Sequence, residues 1–280
     1  MNRLAHGDDA LATEELETDL LLEALYQRFG YDFRAYERVA LKRKLHALMG
    51  MRQLATVSQL QDRMLHDAVT GAAVLRALSV QPGVLFDDPE QARSLRSVLG
   101  ASLRASAAPR IWIAECAGVA EAWSLAILLA DEELHARTEI FATVANEELL
   151  AGVADASIDV DCLPAYQENY LKSGGAATLA DLFDIQGKRA VLQAPLRNRI
   201  TWAQYNLVTD ASFNEFQLIV CRQALADFGP LLRQRTLKLF YDSLSLFGVL
   251  GLERELDDSD TLRSAYQRLP AHRPWYKRIA

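Results

Sequence analysis

Cysteine is scarce: Cys116, Cys162 and Cys221 are the three in 280 residues, and no two stand in a CxxC pair. That excludes a disulfide framework or a cysteine-based zinc site and leaves reduced thiols, most simply buried ones. Long apolar runs are missing too. A stretch such as Leu125–Ala130 falls far short of the roughly 20 residues of a membrane span, and residues 1–18 are acidic without the apolar centre of a signal peptide. The sequence therefore reads as a cytoplasmic chain with no membrane insertion. Positive charge is also short, with 30 Lys and Arg against 37 Asp and Glu and a formal net charge of −7. Nucleic-acid binding is not expected, because a phosphate-binding surface needs clustered cations to displace counterions. His6, His46, His66, His135 and His272 lack Cys or carboxylate partners at metal-ligand spacing, so no metal site is expected, and no GxSxG nucleophile motif occurs.

What is present is enough apolar material, 50% of residues, to bury a sizeable core. Up to about Ala105 the pattern is helical throughout. An amphipathic helix from Thr13 carries its stripe through Leu16, Leu20, Leu21, Leu25 and Phe29 and stops at Gly30, with residues 1–11 read as loose. A second helix, read within YDFRAYERVALKRKLHALMG, sets Arg34, Arg38, Lys42, Arg43, Lys44 and His46 around an apolar stripe. Two more follow, the first with Ser58 as its expected cap, and a fifth starts at Asp88 and Pro89, a cap followed by proline at the first helical position.

From about residue 106 strands and helices alternate, which implies a mainly parallel sheet with helices on its faces. The expected organisation is a helical domain over residues 1–105 and an α/β domain over 106–280. An antiparallel hairpin insertion around Gly187 is expected within 163–199. The stretch RIWIAECAGVAEAWSLAILLA reads as strand, loop and helix, and in open α/β sheets that loop is where a nucleotide-like ligand sits. A cradle for such a ligand favours glycines, which let backbone approach closely and adopt φ > 0. This loop has only Gly118, with Glu115 and Val119 beside it.

The order of these phrases resembles the CheR-type chemotaxis receptor methyltransferases, which transfer a methyl group from S-adenosylmethionine to receptor glutamates. The resemblance runs through the second helix, the Phe86, Asp88, Pro89 run, IWIAECAGVAEAWSLA, LPAYQENYL, YNLV, LIVCRQALADFGP and AYQRLPAHRPWYKR. It implies a small all-helical N-terminal domain, then a Rossmann-like class I methyltransferase domain with a small antiparallel insertion. Against the family pattern, Glu121, Asn206 and Arg222 are retained at cofactor-site positions.

Six other positions depart from that pattern. Two loop glycines are Glu115 and Val119, the aspartate that accepts from the ribose hydroxyls is Val144, and the arginine of the FFRDP phrase is Asp87. The asparagine and tyrosine of CRNVLIYF are Gln223 and Asp227. Each works against the same ligand: a carboxylate at Glu115 repels the methionine carboxylate, and Val144 cannot accept charge-assisted bonds worth about 1.5–3 kcal/mol each. The expectation is a pseudo-methyltransferase with no cofactor and no catalytic residue. It would act as a regulatory or scaffolding protein in bacterial signalling, with Arg38, Lys42, Arg43 and Lys44 meeting an acidic surface of a signalling or envelope-associated component. The alternatives are an active protein-glutamate O-methyltransferase using S-adenosylmethionine through a divergent site, or a sensor of another nucleotide or metabolite.

Overall fold

A computed structural model describes residues 2–271 and 273–280, and His272 lies outside the described residues. The chain divides into two compact units.

The first unit holds α1 (Asn2–Phe29), α2 (Arg38–Met51), α3 (Val57–His66) and α4 (Ala68–Leu78), and the chain returns to it at residues 226–233. Its core joins Leu21, Leu22 and Leu25 of α1 to Leu41, Leu45 and Leu48 of α2, Leu60 and Met64 of α3, and Val74 and Leu78 of α4. Each fully buried side chain of this kind contributes about 1.5–3 kcal/mol. Gly30 ends α1 with φ +77°, a conformation that costs glycine nothing. Asp67 caps α4 by accepting from the Val69 and Thr70 amides.

The second unit begins at Pro82 with α5 (Pro89–Leu103) and alternates through β1 (Arg110–Ile113), α6 (Ala120–Asp131), β2 (Glu139–Val144) and α7 (Glu147–Ala154). An insertion follows, of β3 (Ile158–Asp159), α8 (Leu163–Lys172), β4 (Phe183–Gln186), β5 (Arg189–Leu192) and the short α9 (Ala194–Arg197). Then come β6 (Ile200–Gln204), β7 (Phe216–Cys221), α10 (Ala224–Asp227), α11 (Pro230–Ser243), β8 (Leu244–Leu252), β9 (Tyr266–Arg268) and β10 (Trp275–Arg278). The main sheet has the order β6-β2-β1-β7-β8-β10-β9, parallel from β6 to β8, with β10 and β9 antiparallel. Its central strand is buried on both faces through Ile111, Trp112 and Ile113, which is why it reads as an unbroken apolar run. The small sheet, β3-β5-β4, is antiparallel and turns at Gly187, φ +60°.

Several expectations are corrected. The boundary falls between Gln81 and Pro82, not at 105/106, because α5 buries Leu95, Val98, Leu99 and Leu103 in the core of the second unit. The stretch read as loose is helical from Asn2, since one glycine costs about 1 kcal/mol and does not stop a helix propagating from a packed segment. The second helix starts only at Arg38, where Glu37 accepts from the Val39 and Ala40 amides. Thr56, not Ser58, caps α3 through the Gln59 amide. The last long helix, which the sequence pattern carries from Pro230 to about Leu246, stops at Ser243, because Leu244 already pairs with Phe216 in the sheet. Cys162 is half-buried, while Cys116 and Cys221 are buried as expected.

Gly251 shows how tightly the antiparallel end of the sheet is packed. It pairs with Trp275, and a Cβ there would lie 2.1 Å from Cζ3 of that ring. The ring is 1% exposed and its Nε1 donates to Ser94 Oγ at 2.9 Å, so it cannot step aside. Gly251→Ala is expected to lower stability by about 1–3 kcal/mol. Denaturant unfolding checks this; an unchanged midpoint would show that the ring yields.

Candidate functional site

The sheet order reverses between β1 and β7, and the crevice beyond their carboxyl ends is the position at which open α/β sheets hold ligands. The loop from β1 to α6 is fastened there by Thr143, one residue before the end of β2. Its Oγ accepts from Trp112 Nε1 (2.9 Å) and from the Glu115 amide (3.3 Å), while its carbonyl accepts from the Cys116 amide (2.7 Å). Held this way, Glu115 takes φ +60°, a left-handed conformation that glycine adopts freely and a glutamate adopts at a cost of about 1–2 kcal/mol. Val119, buried, precedes α6 and supplies no side-chain cap.

Beneath the loop a cleft is lined by Phe86, Asp87, Asp88, Ile113, Glu121, Leu125, Val220, Arg222 and Trp275, among others. It measures about 490 Å³ counting its open mouth. Arg222, just past β7, donates from Nη1 to Asp87 Oδ1 at 2.8 Å. Asp87 follows Phe86, which is buried at φ +52° with its amide donating to Ser124 Oγ (3.1 Å). Gly83 leaves the room: a Cβ there would sit 2.8 Å from Asp87 Oδ2. Asp88 is paired with Arg273 and caps α5 through the Gln91 amide.

Glu121 stands in the first turn of α6, and its Oε1 is sealed from solvent with no hydrogen-bond partner. Burial pushes its pKa up to about 7, with Arg222 opposing and Asp87 adding to the rise. At Arg222 burial disfavours the charge, but Glu121 and Asp87 outweigh it and hold the guanidinium above its ordinary range. Burial also raises the Cys116 and Cys221 thiols far above the reactive range.

The structure thus brings together three of the residues singled out in the sequence: Asp87, Glu121 and Arg222. Glu115 and Val119 lie on the loop above, and Val144, wholly buried at the end of β2, gives its carbonyl to the Tyr205 amide. Gln223 is half-buried after β7. Asn206 is occupied locally, its Oδ1 accepting from the Val208 amide and its own amide donating to Asp210. Asp227 is not a cleft residue. It belongs to the helical unit, where its carboxylate meets Lys44 Nζ at 2.5 Å and its carbonyl accepts from the Glu37 amide.

The basic face of α2 is likewise engaged within its own unit. Arg38 pairs with Glu15 and Asp19, Lys42 with Glu14 and Glu15, and Lys44 with Asp227, leaving Arg43 as the exposed member of the four. Among the described residues no group of three or more His, Cys, Asp or Glu could hold a metal ion, and no helix is long and apolar enough to cross a membrane. Sequence reasoning missed Thr143, Ser124 and the lining role of Trp275. A threonine at the end of an apolar strand was a usable signal for the first; nothing marked the other two.

Residues 84–265 match the family model described as the CheR methyltransferase, SAM binding domain, and residues 16–79 match the CheR methyltransferase all-alpha domain. The chain belongs to the CheR methyltransferase family. Over 248 residues it is 36% identical to a Pseudomonas putida protein bearing a methyltransferase name, Cher3, covering 88% of this chain and 90% of that one. It is 23% identical over 253 residues to a chemotaxis protein methyltransferase of Listeria innocua, covering 88% and 94%. A 104.1 kDa protein of Rhodobacter capsulatus is 26% identical over 272 residues, but this chain spans only 27% of its length. Among solved structures, glycopeptide N-methyltransferase MtfA with sinefungin aligns at TM-score 0.35 and 15% identity, over 61% of this chain and half of that one. NodS of Bradyrhizobium japonicum with S-adenosylhomocysteine aligns at 0.40 and 10%, over 70% and 89%.

Within this CheR fold the protonation of Glu121 is a measurable property. A carboxyl raised from an unfolded value near 4.5 to about 7 makes the folded state bind more protons between those limits. Stability from this group is therefore full below about pH 4.5, falls as pH rises to about 7, and is flat above. Glu121→Gln removes that slope, so the variant should gain up to about 3 kcal/mol on wild type between pH 5 and pH 8. Urea unfolding of both proteins at the two pH values checks it; a constant difference would mean Glu121 titrates normally.

Proposed function

We propose that this chain is a CheR-family pseudo-methyltransferase, a regulatory or scaffolding protein of bacterial signalling that works through a protein contact and not through methyl transfer. The observation that carries the reading is the Asp87–Arg222 ion pair across the cleft. The guanidinium that lines it is already engaged, so an incoming carboxylate finds no free cation and meets Asp87 and Glu121 instead.

Two further features speak against S-adenosylmethionine as a ligand here. Val144 offers ribose hydroxyls a buried isopropyl group where an acceptor is needed, and Val119 sets a β-branched side chain at the entry to α6. Methyl transfer depends on holding donor and acceptor in line. A site that cannot hold the donor has little left to contribute.

A protein partner fits this reading, but the face first expected to meet it is narrowed. Three of the four basic side chains on α2 are neutralised by α1 and Asp227, so Arg43 and the exposed Val39 are what remains of it. The second reading, an active protein-carboxyl methyltransferase, is favoured by Glu121, which keeps one acidic position of the family's loop, and by the methyltransferase names of the relatives. Calorimetry and thermal shift with S-adenosylmethionine and S-adenosylhomocysteine separate the two. The expected outcome is no heat and no shift at millimolar ligand; micromolar binding would sink the pseudoenzyme reading and call for a methyl-acceptor screen.

A further inference from the structure

Away from the cleft, at the amino ends of the strands, the second unit gathers positive charge that no acid meets. β6, β2 and β1 are parallel neighbours, so the turns that lead into them lie side by side. Four arginines stand on those turns: Arg104 at the end of α5, Arg137 before β2, and Arg197 and Arg199 before β6. Two hydrogen bonds join the turns before β2 and β6, His135 Nε2 donating to the Leu196 carbonyl at 3.1 Å and Arg199 Nη2 to the Ala136 carbonyl. Arg137 ties in the segment before β1. Its Nη1 donates to the Ser106 carbonyl at 2.9 Å and its Nη2 to that of Leu103, one residue before Arg104.

A charged face on a protein is most often mere solvation, carried by mobile side chains. Three of these four are held. Arg137 and Arg199 are anchored on main-chain carbonyls, and Arg197 is gripped along its stem, its Nε sealed without an acceptor while the rest of the half-buried residue reaches solvent. None of the four forms an ion pair with a described residue. The acids close by in the chain are taken elsewhere, Asp131 and Glu132 by Arg96 and Glu139 by Arg110, while the exposed Glu133 and Glu215 pair with none of the four. Carbonyls orient a guanidinium without neutralising it, so an arriving carboxylate meets donors whose ordering cost is already met.

We propose that this rim is a docking surface for a short acidic segment of a partner protein, its Asp and Glu side chains held by Arg104, Arg197 and Arg199, with Arg137 fixing the end of α5 beside them. This rests on the reading that the chain works through a protein contact, and goes beyond it by naming the surface and the chemistry of the partner. Three strands at a spacing of about 4.8 Å span about 10 Å, which an extended segment covers in three to four residues at about 3.4 Å each. The net charge of −7 argues against a nucleic acid in this place. The field of the whole chain repels a long phosphate backbone, whereas a few carboxylates are held by contact within a Debye length of about 8–10 Å.

The test is fluorescence anisotropy of the full chain with fluorescein-labelled octaglutamate at 50 mM salt. Saturable binding is expected, weakening at least fivefold at 500 mM salt. Reversing Arg197→Glu and Arg199→Glu together should weaken it at least tenfold. Arg104→Glu, an exposed change with no hydrogen bond at stake, should weaken it about threefold and keeps the test open if the double variant fails to fold. Arg43→Glu, on the remaining basic position of α2, should change it less than twofold. Absence of octaglutamate binding, an unaltered affinity in folded Arg104→Glu protein, an equal loss in Arg43→Glu, or tighter binding of labelled octathymidylate overturns the proposal. The cleft lies at the opposite ends of the strands, so none of these results alters the S-adenosylmethionine titration and the two readings fail separately.

Discussion

One buried hydroxyl holds the working end of the sheet together. Thr143 Oγ accepts from the Trp112 indole and the Glu115 amide and lies 3.4 Å from the Ile113 carbonyl, to which it donates. Two acceptor sites and one donor are all that a threonine hydroxyl has. Through them the end of β2 is tied to β1, to the loop that leaves β1, and to the indole at the centre of the sheet. Trp112 in turn is packed by Tyr205, Phe213, Phe216 and Phe240 with ring centroids 5.2–5.5 Å apart. The position of α6, and with it Glu121, follows from that anchorage.

Charge is handled in both units by internal pairing. In the helical unit the acids of α1 take up the bases of α2, and Lys44 closes on Asp227. In the second unit Arg222 closes on Asp87. Exposed pairs of this sort contribute little, about 0–1 kcal/mol each, but the Arg222 pair is half-buried in an apolar cleft, where removing one partner costs more than the pair supplies. Glu121 is left over from this pairing, and the low polarity that makes its isolation expensive also raises its pKa.

Much of this was legible in the sequence, and the parts that were not share a cause. Gly30, Asp88–Pro89 and Gly187 announced local geometry through residue types with few alternatives, and the apolar run of β1 announced a doubly covered strand. Asp87, Glu121 and Arg222 were each singled out because they sit in recognisable phrases, Glu121 and Arg222 as retained positions and Asp87 as an altered one, and the structure places them around one cleft. Asp227 sits in an equally recognisable phrase, yet it lies in the other unit, since sequence adjacency to Arg222 says nothing of which core takes the next turn of chain. The internal pairing of the basic stripe on α2 was hidden for the related reason that the acids that meet it are some twenty residues away on α1. Charge patterns show their sign in a sequence and their partners only in a fold.

The left-handed backbone at Glu115 bears on how far a preserved loop can stand for a preserved activity. Releasing it would relieve about 1–2 kcal/mol of strain. It would also break the amide bonds of Glu115 and Cys116 to Thr143, each worth about 1 kcal/mol and costlier once the buried groups go unpaired. The conformation is therefore held by the stitching of β1 to β2 and needs no ligand to sustain it. A glutamate can therefore hold this turn without any ligand in the cleft. Function on this fold has to be argued from the side chains facing the cleft, and here those include an Asp87–Arg222 ion pair and a Glu121 whose Oε1 has no hydrogen-bond partner.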